Sequence, residues 1–275
     1  RREKPRRPGR DDQRDPAGRR RFDRQARDMK TMEKVTIPAL QQMKRDGKKI
    51  VGVVAWDYPM AQIADRAGVD LLSVGDSVGV NLWGHATDAE VTMDEMLICC
   101  KAVRRGAKRA IVSCDVPNGP GQAGTEAVVS AAVRFAKEGG ADMVKVLGDP
   151  GTVKAIVRAG VPVFAEFHGE KFPADKLVEE AKRLQDAGAS VLDFRHSGPV
   201  AGPAVVRAVS IPVIGGLGGG PWLDGRVRLA HTAIGYAAKW IDSQSETYGN
   251  AAKLSLDAFR ALIDDVRSGR QIRGG

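Results

Sequence analysis

Between residues 65 and 190 the chain repeats one junction five times: a helical pattern closes on glycine and runs directly into a short apolar segment. The junctions are Asp65-Arg-Ala-Gly-Val-Asp70, Arg104-Arg-Gly-Ala-Lys108, Glu138-Gly-Gly-Ala-Asp142, Arg158-Ala-Gly-Val-Pro162 and Asp186-Ala-Gly-Ala-Ser190. Glycine after a helix supplies the left-handed cap that residues with a Cβ resist. Each following run, such as Leu71-Leu-Ser-Val74 or Met143-Val-Lys-Val146, has the length of a buried strand. Strands and helices that alternate in this way build a parallel sheet with helices on its faces.

The runs after the fourth and fifth junctions end near Glu166 and Arg195, and further strands are expected at Ile50-Val-Gly-Val-Val-Ala55 and Ile211-Pro-Val-Ile214, with a weaker eighth unit at Val227-Arg-Leu-Ala230. Eight units favour a single (β/α)8 barrel over residues 31–275. A dinucleotide-binding sheet would carry its glycine fingerprint after the first strand. Here strand 1 ends in Ala55-Trp-Asp57, and the glycine run Gly215 to Gly220 follows strand 7, where barrels place anion-binding loops.

The net charge of +9 raises the question of a nucleic-acid or membrane partner. Residues 1–30 hold 13 Lys/Arg and 6 Asp/Glu, leaving 30 basic and 28 acidic residues in the rest, so the surplus belongs to the tail and the expected barrel is close to neutral. With almost no apolar residues, the tail is expected to be disordered. Phe22 is its one aromatic, which argues against a base-stacking role and hence against nucleic acid. Its composition fits neither a secretory signal nor a transit peptide. Three cysteines, two of them adjacent at Cys99 and Cys100, make neither a disulfide framework nor a zinc spacing. No apolar run has the length of a membrane span. These features lead to the expectation of a cytoplasmic enzyme with no membrane partner.

Strands 2 and 3 end in aspartates, Asp76 and Asp115, at the rim where barrel enzymes assemble their sites. Two neighbouring carboxylates repel unless a cation or a shared proton intervenes, and a divalent metal such as Mg2+ is a natural occupant. Lys145 lies within strand 4; facing the lumen, it would have to find an anion, and could hold a substrate carboxylate or enolate oxygen.

In this order, Thr36-Ile-Pro-Ala-Leu40, Ala55-Trp-Asp-Tyr-Pro59, Val74-Gly-Asp-Ser-Val-Gly79, Val91-Thr-Met-Asp-Glu-Met96, Gly140-Ala-Asp-Met-Val-Lys145 and Ile211-Pro-Val-Ile-Gly215 resemble the ketopantoate hydroxymethyltransferase family. The resemblance implies a (β/α)8 barrel of the phosphoenolpyruvate mutase and isocitrate lyase superfamily, assembled as a homo-oligomer. It also implies Mg2+, 5,10-methylenetetrahydrofolate as one-carbon donor and 3-methyl-2-oxobutanoate as acceptor, on the way to pantothenate. By resemblance Asp76 and Asp115 belong to the metal site, Asp76 and Ser77 touch substrate, and Lys145 binds it.

Three polar positions depart from the family pattern. The glutamate of Lys-x-Glu in strand 4 is replaced by Leu147, the strand-5 histidine aligns with Glu166, and the basic glutamate of strand 6 aligns with Arg195. Glu166 or Asp149 could restore an acid near the metal, and Asp193, His168 or His196 could act as base. Arg195 would suit a second substrate carboxylate, since its planar fork reads carboxylates in bidentate fashion. The alternatives are therefore an aldolase or lyase acting on another, dicarboxylic, 2-oxo acid, or a homologue that has lost catalysis.

Overall fold

The computed structural model describes residues 33–169, 172–243 and 247–270. The tail expected at residues 1–30 lies outside them. Eight parallel strands, β1 (Ile50–Val54), β2 (Leu71–Val74), β3 (Ile111–Asp115), β4 (Met143–Leu147), β5 (Val163–His168), β6 (Val191–Arg195), β7 (Val213–Gly215) and β8 (Gly225–Leu229), pair in chain order and close when β1 meets β8. The fold is the expected (β/α)8 barrel.

Helix α1 (Ile37–Arg45) precedes the barrel, with Thr36 as its N-cap. The outer helices are α2 (Tyr58–Ala67), α3 (Met93–Gly106), α4 (Thr125–Arg134), α5 (Pro150–Arg158), α6 (Ala174–Asp186) and α7 (Ala201–Ala208), and α8 (Ala251–Arg267) follows β8. A capping box stands at the start of α3, where Thr92 and Glu95 exchange hydrogen bonds. The segment before Gly84 winds into a π-helical turn at Gly79–Trp83.

Four of the five junction glycines are left-handed: Gly68, Gly140, Gly160 and Gly188 have φ of 91°, 72°, 80° and 101°. Gly106 corrects the expectation. Its φ is not positive; a Cβ there would lie 2.7 Å from Ala61 Cβ and 2.8 Å from Tyr58 O, so glycine lets α3 approach α2.

Alternate residues of each strand face the lumen. Its floor is apolar: Ile50, Leu71, Ile111, Met143, Phe164 and Val191 form one cluster with Leu40 and Met43 of α1. One rung higher, about 6.6 Å along each strand, stand Ser73, Ser113, Lys145, Glu166 and Asp193. Above these are Gly75, Asp115, Leu147, His168 and Arg195. The apolar layers seal one end, and charge accumulates towards the strand C-termini.

Aspartates stitch the opposite end. Asp70, Asp142 and Asp224 each precede a strand and accept the backbone N–H of Val51, Val112 or Val213 on the strand before. Asp65, at the end of α2, accepts from the backbone N–H groups of Lys108, Arg109 and Ala110 at 3.0, 3.0 and 2.7 Å, fixing the entry into β3. Losing an acceptor for buried donors costs roughly 1–3 kcal/mol per group. Asp65→Ala should lower stability by about 3 kcal/mol, measured by urea denaturation; a loss below about 1 kcal/mol would show that water replaces the carboxylate.

Candidate active site

The C-terminal mouth of the barrel holds a cavity of 410 Å³ whose walls include Asp76, Ser77, Asp88, Asp115, Lys145, Asp193 and Arg195. Strand register explains this convergence. Asp115 stands beside Lys145, Glu166 beside Asp193 and His168 beside Arg195 on adjacent parallel strands.

Lys145 is the hub. Its ammonium lies 2.7 Å from Glu166 Oε2, 3.2 Å from Asp115 Oδ2 and 3.4 Å from Asp193 Oδ2, three carboxylates for three protons. Burial alone would drive its proton off, but Asp115, Asp193 and Glu166 outweigh burial and hold the pKa well above the ordinary lysine value. Lys145 is therefore charged and its donors are engaged within the protein.

Glu166 joins the cations. Its Oε2 faces Lys145, and its Oε1 accepts from Arg195 Nη1 at 2.8 Å and contacts His168 Nε2 at 2.9 Å. Burial pushes this carboxyl up, but Lys145 and then Arg195 pull harder and hold it at about 2. Arg195 keeps a donor in reserve: its buried Nε has no acceptor.

Asp115 is unlike Glu166. Burial raises it to about 7 despite Lys145, and the charges of Asp76 and Glu166 add to the rise. Its Oδ1 is buried with no hydrogen-bond partner. Asp76 is raised by burial and by Asp88. Gly75 makes room between these groups, since a Cβ there would lie 3.6 Å from Asp115 Oδ2 and 3.1 Å from Ser77 Oγ. Trp56 anchors the turn by donating Nε1–H to Gly75 O at 2.8 Å.

Asp193 sits one rung below Arg195 and is 3% exposed. Its Oδ1 accepts the Gly216 N–H at 2.9 Å, so the glycine run after β7 orients it. A Cβ on Gly216 would approach both of its oxygens at 3.6 Å.

The structure thus brings Asp76, Ser77, Asp115, Lys145, Asp193 and Arg195 to one cavity. His196 follows β6 with a left-handed backbone, φ 50°, and is not among the cavity-wall residues. Asp149 is not among the cavity-wall residues; it caps α5 by accepting from Thr152 N at 2.7 Å. Leu147, 71% exposed at the rim, places no charge in the position of the family's glutamate. Sequence reasoning missed Asp88, which opens a single 3-10 turn, Asp88–Glu90, without strand periodicity to aim it.

Among the described residues no group of three or more His, Cys, Asp or Glu side chains converges as a metal cage. A magnesium ion asks for less, one or two carboxylates with water and substrate completing its octahedron. The unpartnered Oδ1 of Asp115 and the elevated carboxyls of Asp115 and Asp76 match a cation at that pole. Both oxygens of Glu166 are taken by cations and His168, which sets it apart from that pole.

The family model for ketopantoate hydroxymethyltransferase matches residues 34–170 and 166–271. A 3-methyl-2-oxobutanoate hydroxymethyltransferase of Moorella thermoacetica is 35% identical over 266 residues, covering 88% of this chain and 97% of the relative. Another from Trichlorobacter lovleyi is 32% identical, covering 86% and 96%. Among solved structures, phosphonopyruvate hydrolase in complex with oxalate and Mg++ superposes with a TM-score of 0.59 at 16% identity, covering 85% of this chain and 88% of that one. A 2,3-dimethylmalate lyase of the PEP mutase/isocitrate lyase superfamily gives 0.57 at 16%, covering 87% and 89%. These two likenesses concern the fold.

The opposed shifts of Glu166 and Asp115 predict a pH signature. Glu166 is depressed from 4.5 to about 2, so its contribution is complete above about pH 4.5 and disappears as pH falls towards 2. Asp115 is raised from 3.8 to about 7, so the metal-free fold loses stability as pH rises through that interval. Glu166→Gln should cost about 3 kcal/mol at neutral pH, and the gap between the two proteins should close on acidification. A gap independent of pH down to about 2 would refute the ion-pair origin.

Proposed function

Because the chain belongs to the ketopantoate hydroxymethyltransferase family, we propose that it transfers a hydroxymethyl group from 5,10-methylenetetrahydrofolate to C3 of 3-methyl-2-oxobutanoate, with Mg2+ held by Asp76 and Asp115. The observation that carries this reading is the buried, unpartnered Oδ1 of Asp115 on the cavity wall it shares with Asp76.

When bound, the cation places positive charge beside the keto oxygen and stabilises the enolate that forms when C3 loses its proton. Asp115, whose carboxyl lies at about 7, would hold the cation as a carboxylate, with Lys145 beside it to balance the charge. Ser77 flanks Asp76 on the same wall and faces the head of the acid. The base is Asp193. It reaches the cavity, it is oriented by Gly216 N–H, and it stands one rung from the position where the family carries its glutamate. Glu166, held at about 2 by two cations, is too weak a base for the task. Asp193 takes the C3 proton, and the resulting carbanion equivalent forms the new C–C bond to the one-carbon unit. The folate C–N bonds break, and water supplies the oxygen of the hydroxymethyl group.

Two coarser features belong to the same reading. No helix among the described residues is long and apolar enough to cross a membrane, which accords with a cytoplasmic enzyme. The apolar face of α8, including Leu254 at 72% and Phe259 at 63% exposure, accords with homo-oligomeric assembly.

The test is loss of the C3 proton signal of 3-methyl-2-oxobutanoate in D2O, followed by NMR with the protein and Mg2+ and no folate. Exchange that depends on Mg2+ is expected, and Asp193→Asn should slow it by about 10²-fold or more while the barrel stays folded. An Asp193→Asn variant exchanging at the parent rate would remove Asp193 from the mechanism. Mg2+ should bind more tightly as pH rises through about 7, where Asp115 yields its proton. An affinity flat across that range would count against Asp115 as a ligand.

A further inference from the structure

Lys145 and Arg195, two of the cationic residues that line the cavity, are not equivalent. Lys145 has three protons and three carboxylates within 3.4 Å. Arg195 has one ion pair, Nη1 to Glu166 at 2.8 Å, while its buried Nε points at no acceptor. Its guanidinium is therefore anchored at one corner, with a donor still to be matched. Arginine presents its N–H groups as a rigid planar fork, and the group that fits such an edge is a carboxylate.

The position of this fork matters. Strand β2, which leads into Asp76, and strand β6, which carries Arg195, stand four places apart in a closed ring of eight, on opposite sides of the mouth. Both residues wall the same cavity of 410 Å³. A 2-oxo acid whose head group is held at the Asp76 and Asp115 pole must extend its remaining carbons towards β6. There it meets Arg195, Asp193 and the Gly216-Leu217-Gly218 backbone. A branched alkyl end would offer no partner to the exposed part of the Arg195 guanidinium, whose side chain is 29% exposed, whereas an anionic end would pair with it.

We propose that Arg195 forms a second anion subsite across the cavity from Asp76 and Asp115, and that the site accepts 2-oxo dicarboxylic acids by binding their distal carboxylate there. The inference rests on the 2-oxo acid reading above and extends its range of acceptors. It also gives the Glu166–Arg195 pair a function: Glu166 holds the guanidinium by one nitrogen and leaves another edge for substrate. The donor's own carboxylates share this chemistry, so the test omits folate and any preference can come only from the acceptor.

The experiment pairs acids of equal chain length, 2-oxoglutarate with 2-oxopentanoate and 2-oxoadipate with 2-oxohexanoate, using the full chain and Mg2+. Binding is measured by calorimetry and C3 proton exchange by NMR in D2O. At least one dicarboxylate should bind, and exchange in kcat/KM, about tenfold or more better than its monocarboxylate partner. Arg195→Gln should bring that ratio close to one. Arg195→Lys keeps a charge for Glu166 but has no Nε, and should also lose most of the ratio, which guards against a folding defect in the first variant. Equal binding within both pairs, or a ratio unchanged in Arg195→Lys and Arg195→Gln, would overturn the subsite. A dicarboxylate preference in binding with no exchange of any acid would uphold the subsite and sink the enolisation reading.

Discussion

The structure of this mouth depends on one buried ammonium. Lys145 stands on a lumen-facing rung above an apolar floor. A charge in that place is tolerated only with matched partners. Asp115, Glu166 and Asp193 supply them from β3, β5 and β6, so the strands that neighbour β4, and one beyond, are bound to a single side chain. The arrangement also separates functions. Glu166 is fixed as an anion by two cations, while Asp115 retains an oxygen with no partner.

The departures at Leu147, Glu166 and Arg195 become intelligible as one rearrangement. Where the family pattern has histidine on strand 5 and glutamate on strand 6, this chain has glutamate and arginine, and the two side chains pair at 2.8 Å. On the family pattern given by the resemblance, an acid stands on β5 in place of the one expected at Arg195, and β6 carries Asp193 one rung deeper. The base proposed here, Asp193, therefore stands one rung below the height of the family's glutamate. Leu147 places no charge at the rim, and Asp76 and Asp115 are the carboxylates proposed for the cation.

Much of the barrel was legible because local rules and tertiary packing agree. Glycine junctions marked helix ends, and left-handed backbone at Gly68, Gly140, Gly160 and Gly188 bears that out. Gly106 escaped the rule because its constraint is a neighbour in another helix. Asp76, Asp115 and Lys145 were legible from their places at or within strands, since period-two alternation aims side chains. The Glu166–Arg195 pair was not, because each residue was read alone and only the register of β5 against β6 brings them together. The aspartates at the closed end were missed for the same reason: their partners are backbone N–H groups on other strands.

The central claim is that this rearranged lumen still holds a divalent cation where a 2-oxo acid can reach it. Manganese titration followed by electron paramagnetic resonance tests it directly, with Mn2+ as the probe in place of Mg2+. One bound ion per chain is predicted, competed by Mg2+, lost in Asp115→Asn, and with a spectrum that changes when 3-methyl-2-oxobutanoate or a dicarboxylic analogue is added. A protein that is folded yet binds no Mn2+, or binds it equally well without Asp115, would contradict the account.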